Sequence, residues 1–325
     1  MSNSVYRTKA IHRNSPFVLL FPGYYGIFPL VIKMKNKLYG SLALAFATII
    51  WGSTFIAQSV GMDHIGPMTF QAARCTLGGL FLIPVVFLFD KDKKNFITNW
   101  LDPKLWKTGL ICGFALFVAG GLQQIGMVYT TAGKAGFITA MYIILVPILG
   151  VFLKKRPSPA CWISVFMAVC GLYLLSFRGG SQVNIGDLCM LGCALGFAVQ
   201  ITLIDRMAGS LDALRLNAIQ ALVCGFLSGV CMILTEDPQI ENLIKCWLPI
   251  AYAGFLSMGI AFSLQIVGQK YLEPTPASLI MSLESVFAAI FGWLLLKEVM
   301  SSSELWGCAL VFAAVILSQI PEKKR

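Results

Sequence analysis

Charge is what this chain lacks. Of its 325 residues only 12% are charged, and the acidic set numbers 15 with two histidines. That is about half the charged share of a soluble domain. A water-soluble fold of this length needs a charged surface, and here there are too few charges to cover one. Apolar residues make up 57%, and the mean hydropathy is +0.77. Hydrocarbon is therefore the expected solvent for most of the chain. Catalytic patterns are missing as well. No Walker-type phosphate loop, HExxH or GxSxG is present, and no paired-carboxylate site appears at useful spacing, which argues against ATP drive within the chain and against hydrolytic chemistry.

The ten cysteines do not form a disulfide framework. Nine lie inside apolar runs (Cys75, Cys112, Cys161, Cys170, Cys189, Cys193, Cys224, Cys231 and Cys308), and only Cys246 falls in an expected loop. Cys189 and Cys193 share a helical face, but no His or second Cys pair accompanies them. They read as small buried hydrophobes. No metal site and no cofactor is expected.

What is present is a series of long apolar runs. Ten stretches approach the roughly 20 residues that a spanning helix needs: 38–60, 68–89, 109–128, 136–153, 160–177, 188–206, 214–235, 248–268, 276–296 and 303–320. They are continuous rather than alternating, so helices are expected and a barrel is not. The net charge of +10 resides in the gaps between runs, which excludes a nucleic-acid-binding face and sets topology instead. With the segment before Leu38 in the cytoplasm, the inner side holds Lys33, Lys35, Lys37, five lysines between 90 and 108, Lys154-Lys155-Arg156, Arg206, Arg215, Lys270 and Lys323-Lys324-Arg325. The outer side holds Lys134, Arg178, Lys245 and Lys297. Both termini are thus expected in the cytoplasm of a multi-pass cell-membrane protein.

Residues 1–33 are read as an N-terminal extension, either non-native or non-spanning. Segment 16–32 is apolar but carries three prolines and two glycines, a poor spanning helix. Met34 opens a short basic stretch directly before the first run and is the expected native start. The other reading is an interfacial or re-entrant extension.

The remainder repeats itself. A shift of 146 pairs Gly40 with Gly186, Trp51 with Phe197, Thr54 with Gln200, Arg74 with Gln220 and Gly79 with Gly225. A shift of 142 pairs LQQIGMVY (Leu122 to Tyr129) with LQIVGQKY (Leu264 to Tyr271), and Gln123 with Gln265. The units are 34–178 and 179–320, followed by a basic tail, 321–325. Five spans per unit is an odd number, so the second unit enters the bilayer upside down. The expected fold is an all-α integral membrane protein of ten transmembrane helices in two inverted five-helix repeats, an architecture of many secondary transporters with the substrate site at the repeat interface.

Several segments resemble the EamA-like branch of the drug/metabolite transporter superfamily: AFATIIWGSTFIAQ in span 1, PMTFQAARCTLGGL entering span 2, KAGFITAMYIILVPILGVFLKKRPS through span 4, GDLCMLGCALGFAVQ in span 6 and ASLIMSLESVFAAIFGWLLLKE through span 9. The resemblance covers residues 34 to about 320. It implies a central cavity ringed by spans 1–4 and 6–9, with 5 and 10 peripheral, and export or exchange of amino acids, related metabolites or drugs. Ser285 departs from the pattern, standing where a proline is common; Pro147 holds a comparable place in the first unit. Span 9 is therefore expected to be straighter than span 4.

Polar residues at membrane depth are the candidate site. Arg74 in span 2 should face protein or water; it reads as an anion contact, or as a structural arginine snorkelling outward. Glu284 in span 9 suits proton binding or a contact to a substrate amine, or a hydrogen bond joining helices. Both are expected to border one cavity and to interact. Its repeat partner Tyr142 is also polar. Span 1 carries Trp51, Thr54 and Gln58 as a stripe, and Gln123, Gln124, Gln200, Gln220 and Gln265 add buried amides, each of which needs a partner. Singly these read as links between helices, and together as a hydrated cavity. The expected partners are a small-molecule substrate, the lipid bilayer, protons as coupling ions and a second copy of the chain. A channel or sensor, and less favourably a membrane enzyme, are the competing classes.

Overall fold

The computed structural model describes residues 24–90, 93–130, 132–155, 157–176, 184–296 and 301–319, and regular structure among them is helical throughout. The first helix, α1, runs Tyr24–Met62, followed by α2 (Pro67–Phe89) and α3 (Pro103–Met127). Next come α4, in two pieces (Ala132–Thr139 and Tyr142–Phe152), and α5 (Pro159–Ser176). The second half holds α6 (Ile185–Met207), α7 (Ala213–Thr235), α8 (Trp247–Gln269), α9 in two pieces (Pro274–Met281 and Leu283–Leu296) and α10 (Ser302–Gln319). Nine spans among the described residues are long and apolar enough to cross a bilayer; α5 is shorter in its apolar part, Pro159–Leu174. The architecture below is that of Gly40–Arg325.

The expected spans are recovered with two differences. Residues 24–33 are helical, Pro29 included, and continue into α1, whose stretch long and apolar enough to span runs Met34–Met62; the rest of the extension, 1–23, lies outside the described residues, as do Lys91, Arg156, Arg178, Lys297 and Lys323 to Arg325. And α3 begins at Pro103 rather than 109. Proline suits a first turn, where its missing N–H costs nothing, and the Asp102 carboxylate caps the start by accepting from Lys104 N–H at 2.8 Å. Asn184 and Asp187 form a capping box at α6.

The two units pack as inverted repeats, and their glycines show it. A Cβ on Gly40 would meet Tyr271 at 2.9 Å and the Gly268 carbonyl at 3.0 Å, while one on Gly186 would meet Tyr129 at 2.7 Å and the Gly126 carbonyl at 2.9 Å. These are the residues that the 146 and 142 shifts interchange, so the α1–α8 contact and the α6–α3 contact are the same contact made twice. At the α2–α7 crossing the relation closes on itself: Gly79 abuts Leu222 and Gly225 abuts Thr76. Small residues there allow the close backbone approach on which membrane helix packing depends.

The ends of α2 and α7 are fastened in the same paired way. Asp90, capping α2, is ion-paired with Arg215 in the first turn of α7, both side chains buried, and the guanidinium lies over the rings of Phe96 and Trp100. At the opposite end Glu236, capping α7, accepts from Met68 N–H (2.7 Å), Thr69 N–H (2.8 Å) and the Thr69 hydroxyl (2.6 Å). Arg215 is thus a structural ion-pair partner as well as a topology charge. Arg215→Leu is expected to destabilise the protein by about 3–5 kcal/mol, the usual result of removing one member of a buried pair, read as a lower melting temperature in detergent.

Span 9, expected from Ser285 to be straighter than span 4, is interrupted as span 4 is, though at one residue rather than two. It breaks at Ser282, and α4 breaks at the repeat-equivalent Ala140-Met141. Without proline, the α9 break is supported by serines. Ser278 and Ser282 hydroxyls bond carbonyls three residues back at 2.9 and 2.8 Å, a competition that bends helices. Ser285 N–H reaches only Ser282 O, and its hydroxyl donates to Gly136 O in α4 at 2.8 Å, tying the two broken helices together. A second irregularity is confined to one repeat. Tyr252–Ala261 of α8 is a π-helix, whereas its counterpart in α3 is ordinary α-helix.

Candidate functional site

A cavity with about 490 Å³ of empty space, its mouth included, lies between the repeats. It is lined from α1, α2, α3, α4, α6, α8 and α9. No lining residue comes from α5 or α10, which pack on each other, as the resemblance implied; α7, which it placed in the ring, contributes none either. Four lining pairs are repeat partners: Trp51 with Phe197, Phe55 with Ile201, Gln123 with Gln265, and Tyr142 with Glu284. The cavity therefore sits on the pseudo-twofold relation itself.

The Tyr142–Glu284 pair is its centre. Each residue starts the helical segment after a break, Tyr142 opening the second half of α4 and Glu284 in the first turn of the second half of α9. The breaks place them face to face, and Tyr142 Oη donates to Glu284 Oε1 at 3.0 Å. Both are buried. A carboxylate is costly to bury unless it is bonded or protonated, and the phenol supplies one such bond.

Arg74 lines the cavity from α2 and is only 4% exposed, so it points inward and does not snorkel. Its Nε and Nη2 donate to Gln71 Oε1 at 2.8 and 2.5 Å, one helical turn away. The second repeat builds the same device without charge: Gln220 Nε2 donates to Asn217 Oδ1 at 2.9 Å. The expected interaction of Arg74 with Glu284 is not what the hydrogen bonds among the described residues show. Gln71 holds the guanidinium and Tyr142 the carboxylate, so the two ionisable groups border one cavity from separate supports.

The remaining candidates divide. Gln58, Gln123 and Gln265 line the cavity with Trp51. Thr54 and Gln200 are buried but do not line it. The Thr54 hydroxyl is turned back to Ile50 O at 2.6 Å, a common satisfaction for threonine in a helix. Gln200 belongs to a chain of amides: Gln265 Nε2 donates to Gln200 (3.0 Å) and Gln269 (3.1 Å), Gln200 to Gln220 (3.4 Å), and Gln220 to Asn217. Asn217 Nδ2 then donates to the carbonyls of Met258 and Gly259 in the π-helix at 2.8 and 3.1 Å. Most of the second repeat's amides are therefore structural. Gln124 donates to the Met62 sulfur.

Three lining atoms have no protein partner although buried: Trp51 Nε1, Gln58 Oε1 and Gln265 Oε1. Buried polar atoms are rarely left so. Phe55, Phe197 and Phe262 give the cavity an aromatic wall, with Trp51 edge-on to Phe262 at 5.1 Å. Sequence reading missed them because an aromatic residue inside an apolar helix carries no contrast. Only the repeat alignment of Trp51 with Phe197 pointed there. Among the described residues no group of three or more His, Cys, Asp or Glu side chains could hold a metal.

The family model for EamA-like transporters matches residues 38–177 and again 184–319. An uncharacterized transporter of Archaeoglobus fulgidus is 33% identical over 285 residues, spanning 87% of this chain and 86% of that protein. The S-adenosylmethionine/S-adenosylhomocysteine transporter of Chlamydia muridarum is 24% identical, spanning 83% and 89% of the two chains. A solved crystal structure superposes with a TM-score of 0.73 at 20% identity, over 86% of this chain and 96% of that one, and shares the fold. A chain whose two halves each match the same family model, and whose halves meet around one cavity, is a membrane transporter: it belongs to the EamA-like transporter family.

Proposed function

We propose that this protein carries a small zwitterionic or amphipathic metabolite, an amino acid or a related compound, across the cell membrane by alternating access at the cavity between its repeats. The observation that carries this reading is the lining itself. One permanent cation, one carboxylate and an aromatic wall are set around paired residues of the two repeats. Arg74 suits a substrate carboxylate, in the geometry that guanidinium favours. Glu284 suits an amine, or a proton exchanged for it. The aromatic faces suit the body of the substrate, and the lining amides of Gln58, Gln123 and Gln265 suit its polar groups. The named cargo of the Chlamydia relative likewise combines an amino-acid end with an aromatic ring.

Both termini lie in the cytoplasm in this reading, following the lysine and arginine bias. Export is the favoured direction, and the driving force is the substrate gradient or proton exchange. A screen of amino acids, nucleosides and cationic drugs in proteoliposomes, with and without a proton gradient, tests it. Saturable, trans-stimulated flux of a zwitterionic compound is expected. Non-saturating flux would indicate a channel and remove alternating access; conversion of a supplied compound would indicate an enzyme.

A further inference from the structure

Where α2 and α7 cross, Cys75 and Cys224 meet. Both are fully buried, and their sulfurs are 3.4 Å apart in a thiol–thiol hydrogen bond. Each comes from a different repeat. The helices are held close at this level by glycine. A Cβ on Gly79 would lie 2.7 Å from the Leu222 side chain, and one on Gly225 would lie 2.9 Å from Thr76 N. Close backbones are what a disulfide demands, with Cα separations of about 4.4–6.8 Å and an S–S bond of about 2.05 Å. The sulfurs need to approach by little more than about 1 Å. The repeat partners of Cys75 and Cys224 are Ala221 and Gly78, so the pair occurs once, with no second copy across the pseudo-twofold relation.

The thiols are also connected to the cavity. Gln71 Nε2 donates to Cys224 Sγ at 3.2 Å, and the same amide's oxygen accepts both bonds from Arg74. Whatever changes Cys224 acts on Gln71, and Gln71 sets the posture of Arg74. We propose that Cys75 and Cys224 are a redox modification site whose oxidation to a disulfide cross-links the two repeats and arrests transport. The arrest rests on the transporter reading above; the cross-link does not.

The chemistry balances with hydrogen peroxide as oxidant. One thiol is oxidised to a sulfenic acid as the peroxide O–O bond breaks and one water leaves. The second thiol then displaces the sulfenic oxygen as a second water, forming the S–S bond. Two electrons and two protons pass from the thiol pair to each peroxide. Cytosolic dithiols return the pair to its reduced resting state. The cross-link ties α2 to α7 at their crossing, so the repeats can no longer move there. It also converts the acceptor of the Gln71 bond from thiol to disulfide sulfur.

The test treats the full chain in proteoliposomes with hydrogen peroxide and maps its peptides without reduction. A peptide containing Cys75 joined to one containing Cys224 is expected. Transport should fall at least about tenfold, and dithiothreitol should restore it. Cys75→Ala should transport untreated as the wild type does and resist peroxide. Absence of the joined peptide in the wild-type protein overturns the proposal, and needs no variant to fold. Arrest of Cys75→Ala to the wild-type extent also overturns it. The joined peptide with transport unchanged removes the regulatory half. If the untreated protein shows no saturable transport at all, the proposed function fails while the cross-link is still read directly.

Discussion

Replacing Glu284 by glutamine should cut transport at least about tenfold while the protein still inserts and purifies as a folded species. Gln keeps the shape of the side chain and an oxygen that can accept from Tyr142 Oη, the 3.0 Å bond that joins the two broken helices. Folding is therefore preserved. What is lost is the negative charge and the ability to take up and release a proton. A hydrogen bond to a charged group contributes about 1.5–3 kcal/mol, and each 1.4 kcal/mol is about a factor of ten in binding. If protons are exchanged at this carboxylate, the pH dependence of transport across the neutral range should flatten in the variant. Tyr142→Phe is the companion measurement: it removes the bond and keeps the charge, so it should retain more activity than Glu284→Gln. Wild-type rates for Glu284→Gln would take this residue out of the mechanism.

Arg74→Gln is expected to raise the KM for carboxylate-bearing substrates at least about tenfold and to leave compounds without a carboxylate far less affected. The fold itself argues that the substitution is tolerated. The second repeat already carries Gln220 at the matching position, bonded to Asn217 as Arg74 is bonded to Gln71. Losing a guanidinium–carboxylate contact removes a charge-assisted bond of roughly 1.5–3 kcal/mol. Arg74→Lys should recover only part of the loss. A single ammonium cannot hold the Gln71 oxygen from two nitrogens and also present a planar fork to a carboxylate. An equal KM rise for every compound tested, charged or not, would mean that Arg74 supports the cavity wall and does not recognise an anion.

The position of Ser285 shows how far local sequence rules reach. The absence of proline predicted a straighter helix, yet α9 breaks opposite α4, because serine hydroxyls and a bond to the Gly136 carbonyl of a helix some 150 residues away do what proline would have done. The amides give the same lesson. Gln200 and Gln265 are indistinguishable in the sequence as polar residues in apolar runs, yet one is wholly committed to its neighbours and the other keeps an unpartnered oxygen at the cavity. Cys75 and Cys224 read as inert hydrophobes until the α2–α7 crossing brings their sulfurs together.

The sequence by itself determined that the chain lies in a bilayer, where most of its helices begin and end within a few residues, and that it is an inverted duplication. Each of these follows from properties that one segment has alone: its hydropathy, its length, its flanking charges and its likeness to another segment. Tertiary structure decided which polar atoms are spent on neighbours and which are left unpartnered, and which thiols meet. A hydrogen bond between helices depends on the distance and angle between two segments far apart in the chain, and the periodicity of neither one contains that information.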